Sequence, residues 1–354
     1  MTQQQRGPDP LDIITAVVVA TFGAAAVATS KGHGVAAIST ITALFAAAWV
    51  TAPRRTFPTA ETVCPNVTKQ IVLVTGATSG IGVDTAGVLY QNGAKVYIAA
   101  RNPIKLESTK EFIMAKYDSK TKGKIYTLVC DLSDLDSVKL CAETFLKCES
   151  KLNILINNAG IMALPEREST KQGLESQVGV CHVAHFLLTK LLLPAITNAN
   201  GRVVCLSSVA HRRHQMKELL SSTPPLETVP YNSWVAYGNA KCCNMLMARG
   251  LQKRGVVAFS VMPGGIHTGL QAHVDPWTMF KWTIVTPFFF KSTSQGAATS
   301  IVCATSPDII GHNGMYFDNC KVTDALSKVE IEAGADAADR LWVLTESVLS
   351  KLGY

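Results

Sequence analysis

Short apolar runs alternate with helix-like segments along most of the chain, and together they predict its main elements. The runs are continuously apolar, which is typical of parallel strands that are covered on both faces. The predicted strands are Ile71–Thr75, Lys95–Ala100, Lys124–Cys130, Leu152–Ile156, Arg202–Ser207 and Val256–Val261. The segments with helical periodicity between them are Ile81–Asn92, Ile104–Tyr117, Leu135–Ser150, Gly173–Ile196 and Tyr237–Arg254. This alternation predicts an α/β fold with a doubly wound, mostly parallel sheet.

The first 60 residues follow a different pattern. Residues 13–30 and 34–53 carry no charged side chain, and each run would form a helix about 27–30 Å long, close to the thickness of a bilayer's hydrocarbon core. We therefore expect an N-terminal hydrophobic helical segment, 1–60, that is a membrane anchor or a targeting segment, and a single domain, 61–354. Arg54 and Arg55 follow the second run, which places the body of an anchored protein in the cytosol. The alternative is a cleaved signal or transit segment.

Composition excludes several classes of protein. Apolar residues make up 47% of the chain and charged residues 17%, so a sizeable core is expected and a disordered chain is not. The formal net charge of +7 is spread along the chain without a basic block, and we expect no nucleic-acid partner. The 10 cysteines include no C-x-x-C pair, so we expect neither a metal site nor a disulfide scaffold.

A glycine-rich turn follows the first predicted strand. Gly76, Gly80 and Gly82 form a G-x-x-x-G-x-G pattern that leads into a helix. Glycines permit a tight turn and a close approach of the backbone to a pyrophosphate, while the helix N-terminus offers unpaired N–H groups. The pattern therefore predicts a Rossmann-like dinucleotide site. The residues of this predicted cofactor turn are Gly76, Thr78, Ser79, Gly80, Ile81 and Gly82.

The end of the second predicted strand bears on the choice of cofactor. A carboxylate at this place commonly holds the ribose 2′-hydroxyl of NAD, whereas an arginine accommodates the 2′-phosphate of NADP. Here Ala100 stands at the acidic position and Arg101 follows it. The sequence therefore favours NADP(H) over NAD(H), with Arg101 as the contact to the phosphate.

Three further residues suggest the chemistry. Ser208 follows the fifth predicted strand, and Tyr237 and Lys241 begin a later helix. Residues four apart share one helix face. A lysine ammonium and a positive nicotinamide ring both favour the phenolate, so a tyrosine with an ordinary pKa of about 10 can exchange a proton at neutral pH. A serine hydroxyl beside it would hold the carbonyl oxygen of a substrate, and we expect these three residues to be catalytic.

The ordered set of motifs resembles the short-chain dehydrogenase/reductase family over about residues 69–350. It is most similar to the retinol dehydrogenase-like branch, which also includes the WW-domain oxidoreductase. The motifs that carry the resemblance are CDLSDLDSV at 130–138, ILINNAGIM at 154–162, HFLLTKLLLP at 185–194, VVCLSSVAH at 203–211, YGNAK at 237–241 and VMPGGIHT at 261–268. The resemblance implies that Tyr237 is the general acid and base, that Lys241 lowers its pKa and binds the nicotinamide ribose, and that Ser208 orients the carbonyl.

The resemblance also implies the remaining cofactor contacts and exposes one departure. Asp131 and Leu132 would face the adenine. The other implied contacts are Asn158, Ala159 and Gly160 along the cofactor, and Pro263, Gly264, Ile266 and Thr268 near the nicotinamide. Cys181 stands where the branch has an asparagine that helps to hold a water in the proton relay to the lysine. Because cysteine hydrogen-bonds weakly, the relay would run through the backbone carbonyl or activity would be reduced.

These features lead to two hypotheses. The first is a membrane-associated NADP(H)-dependent oxidoreductase, at the endoplasmic reticulum with a cytosol-facing body. It would interconvert a carbonyl and an alcohol on an apolar substrate of the retinoid, steroid or lipid-aldehyde kind, with the aromatic stretch 277–290 over the substrate pocket. The second is a nucleotide-binding scaffold or sensor of the same fold that turns over poorly, with Cys181 as its support. A plastid location is the alternative if the N-terminus is a transit segment, and an oligomer is compatible with either hypothesis.

Overall fold

The continuous apolar runs form the strands of a central sheet. The computed structural model describes residues 57–118, 123–266 and 290–354. The predicted apolar runs 13–30 and 34–53, most of the aromatic stretch 277–290, and Thr268 lie outside the described residues. The strands are β1 (Ile71–Thr75), β2 (Lys95–Ala100), β3 (Lys124–Val129), β4 (Ile154–Asn157), β5 (Arg202–Leu206), β6 (Val257–Met262), β7 (Gly265–Ile266), β8 (Phe290–Lys291), β9 (Tyr316–Asp318) and β10 (Lys321–Thr323).

The order of the strands reverses between β1 and β4. The 8-stranded sheet has the order β10-β9-β6-β5-β4-β1-β2-β3, and its neighbours are parallel except for β10, which is antiparallel to β9. Thr75 pairs with Ala99 on one side of β1, and Val74 pairs with Ile156 on the other. The chain therefore changes direction across the sheet at β1, and doubly wound sheets bind ligands in the crevice at such a point.

Helices cover both faces of the sheet. They are α1 (Ala60–Val63), α2 (Gly80–Gln91), α3 (Pro103–Lys116), α4 (Leu135–Cys148), α5 (Ser176–Asn198), α6 (Met216–Leu219), α7 (Ser233–Lys253), α8 (Thr293–Thr305), α9 (Ala325–Ala333) and α10 (Ala337–Lys351). One apolar core lies between the sheet and α4, α5, α7 and α10, and a second lies between the sheet and α2, α3 and α8. The predicted fold class, α/β with a doubly wound and mostly parallel sheet, is confirmed.

One predicted boundary near the site was wrong. The helix that carries Tyr237 begins at Ser233, so Tyr237 lies in its second turn. Asn232 explains the earlier start, because its Oδ1 accepts hydrogen bonds from the N–H groups of Trp234 at 3.1 Å and Val235 at 3.0 Å. Asparagine is a preferred residue at this capping position.

The hydrophobic pattern of the sequence did not predict the two strands near the carboxyl terminus, β9 and β10. β9 and β10 have 3 residues each, too few for a strand pattern to be recognised. Helix α8 connects β6 to β9 and allows the two strands to lie parallel, since parallel neighbours need a crossover connection. The sheet consequently extends two strands beyond the predicted last strand.

Helix α5 is a core helix. Among the described residues, Ser176–Asn198 is long and apolar enough to cross a membrane, but most of that stretch is buried inside the protein. Its Phe186 ring packs edge-on against Trp342 of α10, with ring centres 4.6 Å apart. A π-helical turn, Gly179–Val183, interrupts its first half, and π turns of this kind are frequent at functional sites.

Two histidines of α5 are buried in uncharged form. His182 is 0% exposed and its Nε2 lies 3.0 Å from Thr345 Oγ1 of α10. Burial lowers its pKa to about 3, with a smaller contribution from repulsion by His185. His185 is 1% exposed, and burial lowers its pKa to about 4. Both imidazoles therefore stay neutral in the folded protein at neutral pH.

Replacing His182 with Gln should destabilise the protein at neutral pH, and the deficit should shrink as the pH falls. An unfolded histidine takes up its proton near pH 6.5, whereas folded His182 does so only at about pH 3. Between these values the wild type loses up to about 1.4 kcal/mol of unfolding free energy per pH unit through this residue, and the variant does not. Urea unfolding of both proteins between about pH 7 and about pH 5 measures the difference, and a pH-independent difference would contradict this account.

Candidate active site

The turn between β1 and α2 lies directly against the loop that follows β4. The N–H of Gly76 donates to Ala99 O at 2.8 Å, and its φ is +64°. A Cβ on Gly76 would lie 2.7 Å from the Cα of Ala159, and one on Gly82 would overlap the carbonyl oxygen of Gly76 and lie 2.9 Å from the Cα of Ala77. Both positions therefore need glycine because the backbones come so close.

The start of α2 is open to an anion. Ser79 is the N-cap residue, but its side chain makes no capping hydrogen bond. The helix begins with Gly80, whose φ is +55°. The N–H groups of a helix's first turn carry partial positive charge and have no partner within the helix. Thr78, Ser79, Gly80, Ile81 and Gly82 thus form a cradle whose backbone suits a pyrophosphate.

The Thr75 hydroxyl joins this turn to the loop after β4 and to helix α5. Its Oγ1 accepts hydrogen bonds from the N–H groups of Asn158 at 2.9 Å and Ala159 at 3.1 Å. It also lies 2.8 Å from His185 Nε2. His185 Nδ1 donates to the Cys181 carbonyl at 3.0 Å, because a carbonyl only accepts. Nε2 is then the acceptor, and the Thr75 hydroxyl donates to it.

The three side chains predicted to be catalytic come together at the same edge. Tyr237 and Lys241 are buried on α7. Lys241 Nζ lies 5.6 Å from the centre of the Tyr237 ring and donates to Leu206 O, at the end of β5, at 3.3 Å. The Ser208 hydroxyl is close enough to the Tyr237 phenol to lower its pKa. The arrangement can supply a proton beside the glycine turn, which makes it the candidate active site.

Known proteins share this combination of sequence and fold. The family model "short chain dehydrogenase" matches residues 70–220. Retinol dehydrogenase 12 of Mus musculus is 40% identical over 283 residues, which are 77% of this chain and 84% of that protein. The chain belongs to the short-chain dehydrogenase/reductase family. The resemblance to its retinol dehydrogenase-like branch is thereby confirmed.

Two further relatives of this short-chain dehydrogenase/reductase widen the comparison. Short-chain dehydrogenase TIC 32 B, chloroplastic, of Brassica napus is 38% identical over 292 residues, which cover 79% of this chain and 88% of that protein. The crystal structure of an uncharacterised protein from Mycobacterium paratuberculosis has a TM-score of 0.61 at 28% identity and covers 82% of this chain and 97% of its own. Both matches cover much more of the chain than residues 70–220, which the family model matches.

The electrostatics of this dehydrogenase's Tyr237 are set by opposing effects. Burial raises the pKa of its phenol and the nearby Cys181 adds to that effect, while Lys241 and Ser208 lower it. Burial prevails, so the pKa of Tyr237 lies above its ordinary value. Burial lowers the pKa of Lys241, but the neighbouring acidic side chains of Cys181, Tyr237 and Cys205 together raise it by more, so the pKa of Lys241 lies above its ordinary value. Lys241 therefore remains an ammonium beside the phenol.

Cys181 lies next to this ammonium. A Cβ on Gly160 would be 3.2 Å from Lys241 Nζ and 3.3 Å from Cys181 Sγ, so both groups face the same glycine. The thiol makes a weak bond to Ile161 O at 3.6 Å. Cys181 belongs to the π-helical turn of α5, and His185 holds its carbonyl. The thiol stands where the family resemblance implies an asparagine, and the backbone of the turn is anchored through the Cys181 carbonyl.

The residues predicted at the adenosine end lie at the ends of β2 and β3. Arg101 is exposed, and among the described residues no hydrogen bond or ion pair engages its guanidinium. Asp131 Oδ1 accepts from the N–H of Ser133 at 2.9 Å and from its hydroxyl at 2.7 Å. Leu132 is buried in the core. Arg101 and Asp131 are thus placed at neighbouring strand ends, on the β2 side of the glycine turn.

The residues predicted near the nicotinamide follow β6. Pro263 O accepts from Lys291 Nζ at 3.3 Å. Gly264 has a φ of +101°, and a Cβ there would lie 2.7 Å from Lys291 Cδ. Ile266 is buried. Thr268 lies outside the described residues, so its predicted role is carried by sequence alone.

Two residues with a part in this site were not among the predicted ones. Thr75 directly precedes Gly76 at a strand end, a signal that the sequence does contain. His185 lies in an apolar helical segment, and a histidine in such a segment is expected to be an ordinary core residue. Its link between Thr75 and the Cys181 carbonyl depends on a contact across 110 residues of sequence, which periodicity cannot indicate.

Proposed function

We propose that this protein is an NADP(H)-dependent oxidoreductase that interconverts a carbonyl and an alcohol on an apolar substrate. The observation that carries the proposal is the meeting of Tyr237, Lys241 and Ser208 beside the glycine turn at one edge of the sheet. The similar retinol dehydrogenase 12 acts on retinol by its name. We therefore propose a substrate of the retinoid, steroid or lipid-aldehyde class.

The residues of the site fit a nicotinamide dinucleotide. Gly76 and Gly82 leave room that a Cβ would fill, and the uncapped start of α2 would hold the pyrophosphate. Asp131 and Leu132 would face the adenine, and Asn158, Ala159 and Gly160 would run along the cofactor. Pro263, Gly264, Ile266 and Thr268 would border the nicotinamide. When bound, the nicotinamide supplies the hydride.

The protein's own groups would handle the proton. The Ser208 hydroxyl would orient the carbonyl oxygen, and Tyr237 would donate a proton to that oxygen as it becomes an alcohol. In the reverse direction the Tyr237 phenolate would remove the proton. Lys241 stabilises that phenolate, and the positive charge of an oxidised nicotinamide would add to its effect. The raised pKa of Tyr237 in the protein alone suits the proton-donating, reductive direction.

Replacing Tyr237 with Phe should remove the proton donor while leaving the cofactor site intact. We expect kcat to fall about 10²- to 10⁴-fold, the usual contribution of general acid catalysis. The measurement is NADPH oxidation with a retinal, a long-chain aldehyde and a ketosteroid, together with NADPH binding by fluorescence. Tyr97→Phe is the matched control, because it removes a buried hydroxyl that bonds Glu149 at 2.6 Å on β2. Near-normal turnover by the Tyr237 variant would contradict the proposal.

Cys181 favours a second candidate function. A thiol at the position of the relay asparagine supports a nucleotide-binding scaffold or sensor with weak turnover. The same panel of carbonyls separates the two functions. Tight NADPH binding without oxidation by any substrate, and without a gain of turnover on Cys181→Asn, would favour the scaffold.

We infer the cofactor preference from Ala100 and Arg101. A forked guanidinium can meet a 2′-phosphate with two charge-assisted hydrogen bonds, and Ala100 gives a 2′-hydroxyl no carboxylate acceptor. Such a contact contributes about 1.5–3 kcal/mol, which is roughly a 10- to 150-fold preference for NADPH. Arg101 is exposed, none of the residues that the structure describes engages its guanidinium, and it follows by two residues the Ala99 carbonyl that binds the Gly76 N–H, which supports this role.

Combining Ala100→Asp with Arg101→Ala should reverse this preference. The new carboxylate repels the phosphate and accepts from the 2′-hydroxyl, so KM should rise for NADPH and fall for NADH. Steady-state kinetics with both cofactors measures the ratio. Arg101→Lys keeps the positive charge but loses the forked pair of donors. Its preference for NADPH over NADH should therefore be intermediate between those of the wild type and the double variant. If the wild type used both cofactors equally well, Arg101 would be an ordinary surface residue.

We propose that residues 1–60 attach the domain 61–354 to a membrane, with that domain facing the cytosol at the endoplasmic reticulum. The uncharged runs 13–30 and 34–53 and the following Arg54 and Arg55 support this topology. The chloroplastic relative from Brassica napus supports a plastid as the alternative compartment.

Deleting residues 1–53 should move the protein into the soluble fraction. The full chain should stay in the membrane pellet after a carbonate wash and need detergent for release, because two uncharged helices bury much apolar surface in lipid. Fractionation of both proteins from the same cells measures this. Release of the full chain by carbonate alone would contradict a membrane-spanning anchor.

A further inference from the structure

Gln177 lies between the loop after β4 and the first turn of α7. It is in the first turn of α5 and is 0% exposed. Its Oε1 accepts from the Ala163 N–H at 2.7 Å. Its Nε2 donates to Tyr231 Oη at 3.1 Å and to the Ser233 carbonyl at 3.0 Å. One buried amide thus joins three chain segments.

The chemistry of the partners fixes the orientation of this amide. The Ala163 N–H can only donate and the Ser233 carbonyl can only accept, so the oxygen and nitrogen of Gln177 cannot be exchanged. Tyr231 Oη donates to Leu164 O at 2.8 Å and is therefore free to accept from Gln177. Burial raises the pKa of Tyr231 to about 12, so its proton stays in place. Each polar atom of the amide is used.

The contact to Ser233 is separated from Tyr237, the candidate catalytic residue, by a single backbone hydrogen bond. Ser233 is the first residue of α7. In an α-helix the carbonyl of residue 233 also accepts from the N–H of residue 237. The carbonyl that Gln177 holds is thus the one that orders the Tyr237 backbone. A shift of this turn would move the phenol away from Lys241 and Ser208.

The contact to Ala163 links Gln177 to the cofactor loop, which is the segment after β4 that contains Asn158, Ala159 and Gly160. Ala163 comes three residues after Gly160, and its φ of +51° is in the left-handed region. A residue with a Cβ stays in that region only when its surroundings hold it there. The Gln177 oxygen on the Ala163 N–H is one such restraint. Gln177 therefore couples the segment that would carry the nicotinamide to the helix that carries the phenol.

Other contacts tie residues 209–232 to the same two elements. Glu227 receives a forked contact from Arg167, which includes a bond of 3.0 Å from Nη2 to Oε2. Asn239, two residues beyond Tyr237, donates to Thr228 Oγ1 at 3.0 Å and accepts from the Gln215 N–H at 2.7 Å. The long segment before α7 is therefore fixed to the loop after β4 and to the catalytic helix.

We propose that Gln177 is a positioning residue, which sets the Tyr237 phenol relative to the cofactor loop by holding Ala163, Tyr231 and Ser233 together. The proposal rests on the proposed function, because it assigns Gln177 a part in the same proton transfer. Gln177 touches neither the reacting atoms nor Tyr237 itself. Its effect should consequently appear in the chemical step and not in the affinity for NADPH.

Gln177→Leu in the detergent-solubilised full chain tests the proposal. It keeps the volume and removes all three hydrogen bonds. We expect kcat to fall about 10- to 100-fold, the cost of a misplaced reacting group, with the NADPH dissociation constant within about 3-fold of wild type. The acidic and basic limbs of the kcat–pH profile should also shift, because Tyr237 changes its distance from Lys241. Amide exchange by mass spectrometry should rise over residues 231–238 and not over residues 242–250.

The matched control is Thr345→Val. It removes the buried bond between His182 of α5 and Thr345 of α10, five residues along α5 from Gln177, so it costs stability without removing any of the three hydrogen bonds of Gln177. If both variants had equal kcat and equal pH profiles, Gln177 would be merely structural and the proposal would be overturned. Parallel loss of NADPH binding in Gln177→Leu would overturn it too.

A milder variant covers the case in which Gln177→Leu does not fold. Tyr231→Phe removes one arm of the network and should lower kcat by a smaller factor, with faster exchange over the same residues 231–238. Unchanged kcat and exchange in a folded Tyr231→Phe protein would count against the network. Failure of the proposed function would look different, since the wild type itself would then oxidise no NADPH, while exchange over residues 231–238 would still report on Gln177.

Discussion

The close contact between Gly76 and Ala159 constrains the rest of this site. No side chain fits at Gly76, because a Cβ would lie 2.7 Å from the Ala159 Cα. With the two backbones this close, the Thr75 hydroxyl reaches two amide groups of the next loop at once. The glycine turn and the loop leading to Gly160 are thereby held against each other, and Lys241 and Cys181 lie next to Gly160.

Helix α5 connects this turn to helix α7, which carries Tyr237 and Lys241. His185 binds Thr75, Cys181 faces the same glycine as Lys241, and Gln177 holds the start of α7. These three residues lie at intervals of four along one buried helix, with the π-helical turn around Cys181. Since each contact uses a polar group that burial would otherwise leave unsatisfied, small shifts of α5 are costly. Most of α5 is buried inside the protein, and this burial explains why its composition is as apolar as that of a membrane-spanning helix.

The sequence predicts the parts of this protein that depend on local pattern. The strands from β1 to β6 came from continuous apolar runs, and the glycine turn from its spacing. The predicted start of α7 was four residues too late, because the prediction did not use Asn232 as a helix cap. Asparagine is a preferred capping residue, so the sequence does contain this signal. The strands β9 and β10 are too short to show a period. His185 and Gln177 could not be found in this way, because their importance lies in partners far along the chain and their own positions look like ordinary core.

The attachment of residues 209–232 to both α5 and α7 has a consequence for protein engineering. A loop beside a substrate site invites transplantation between relatives as a means of exchanging specificity. Here a foreign segment would arrive without Tyr231 for Gln177, without Glu227 for Arg167 and without Thr228 for Asn239. The buried side-chain amides of Gln177 and Asn239 and the exposed guanidinium of Arg167 would then lose acceptors. A successful chimera must carry its own residues at 167, 177 and 239 along with the loop, so the unit that can be exchanged is three-dimensional and not a continuous stretch of sequence.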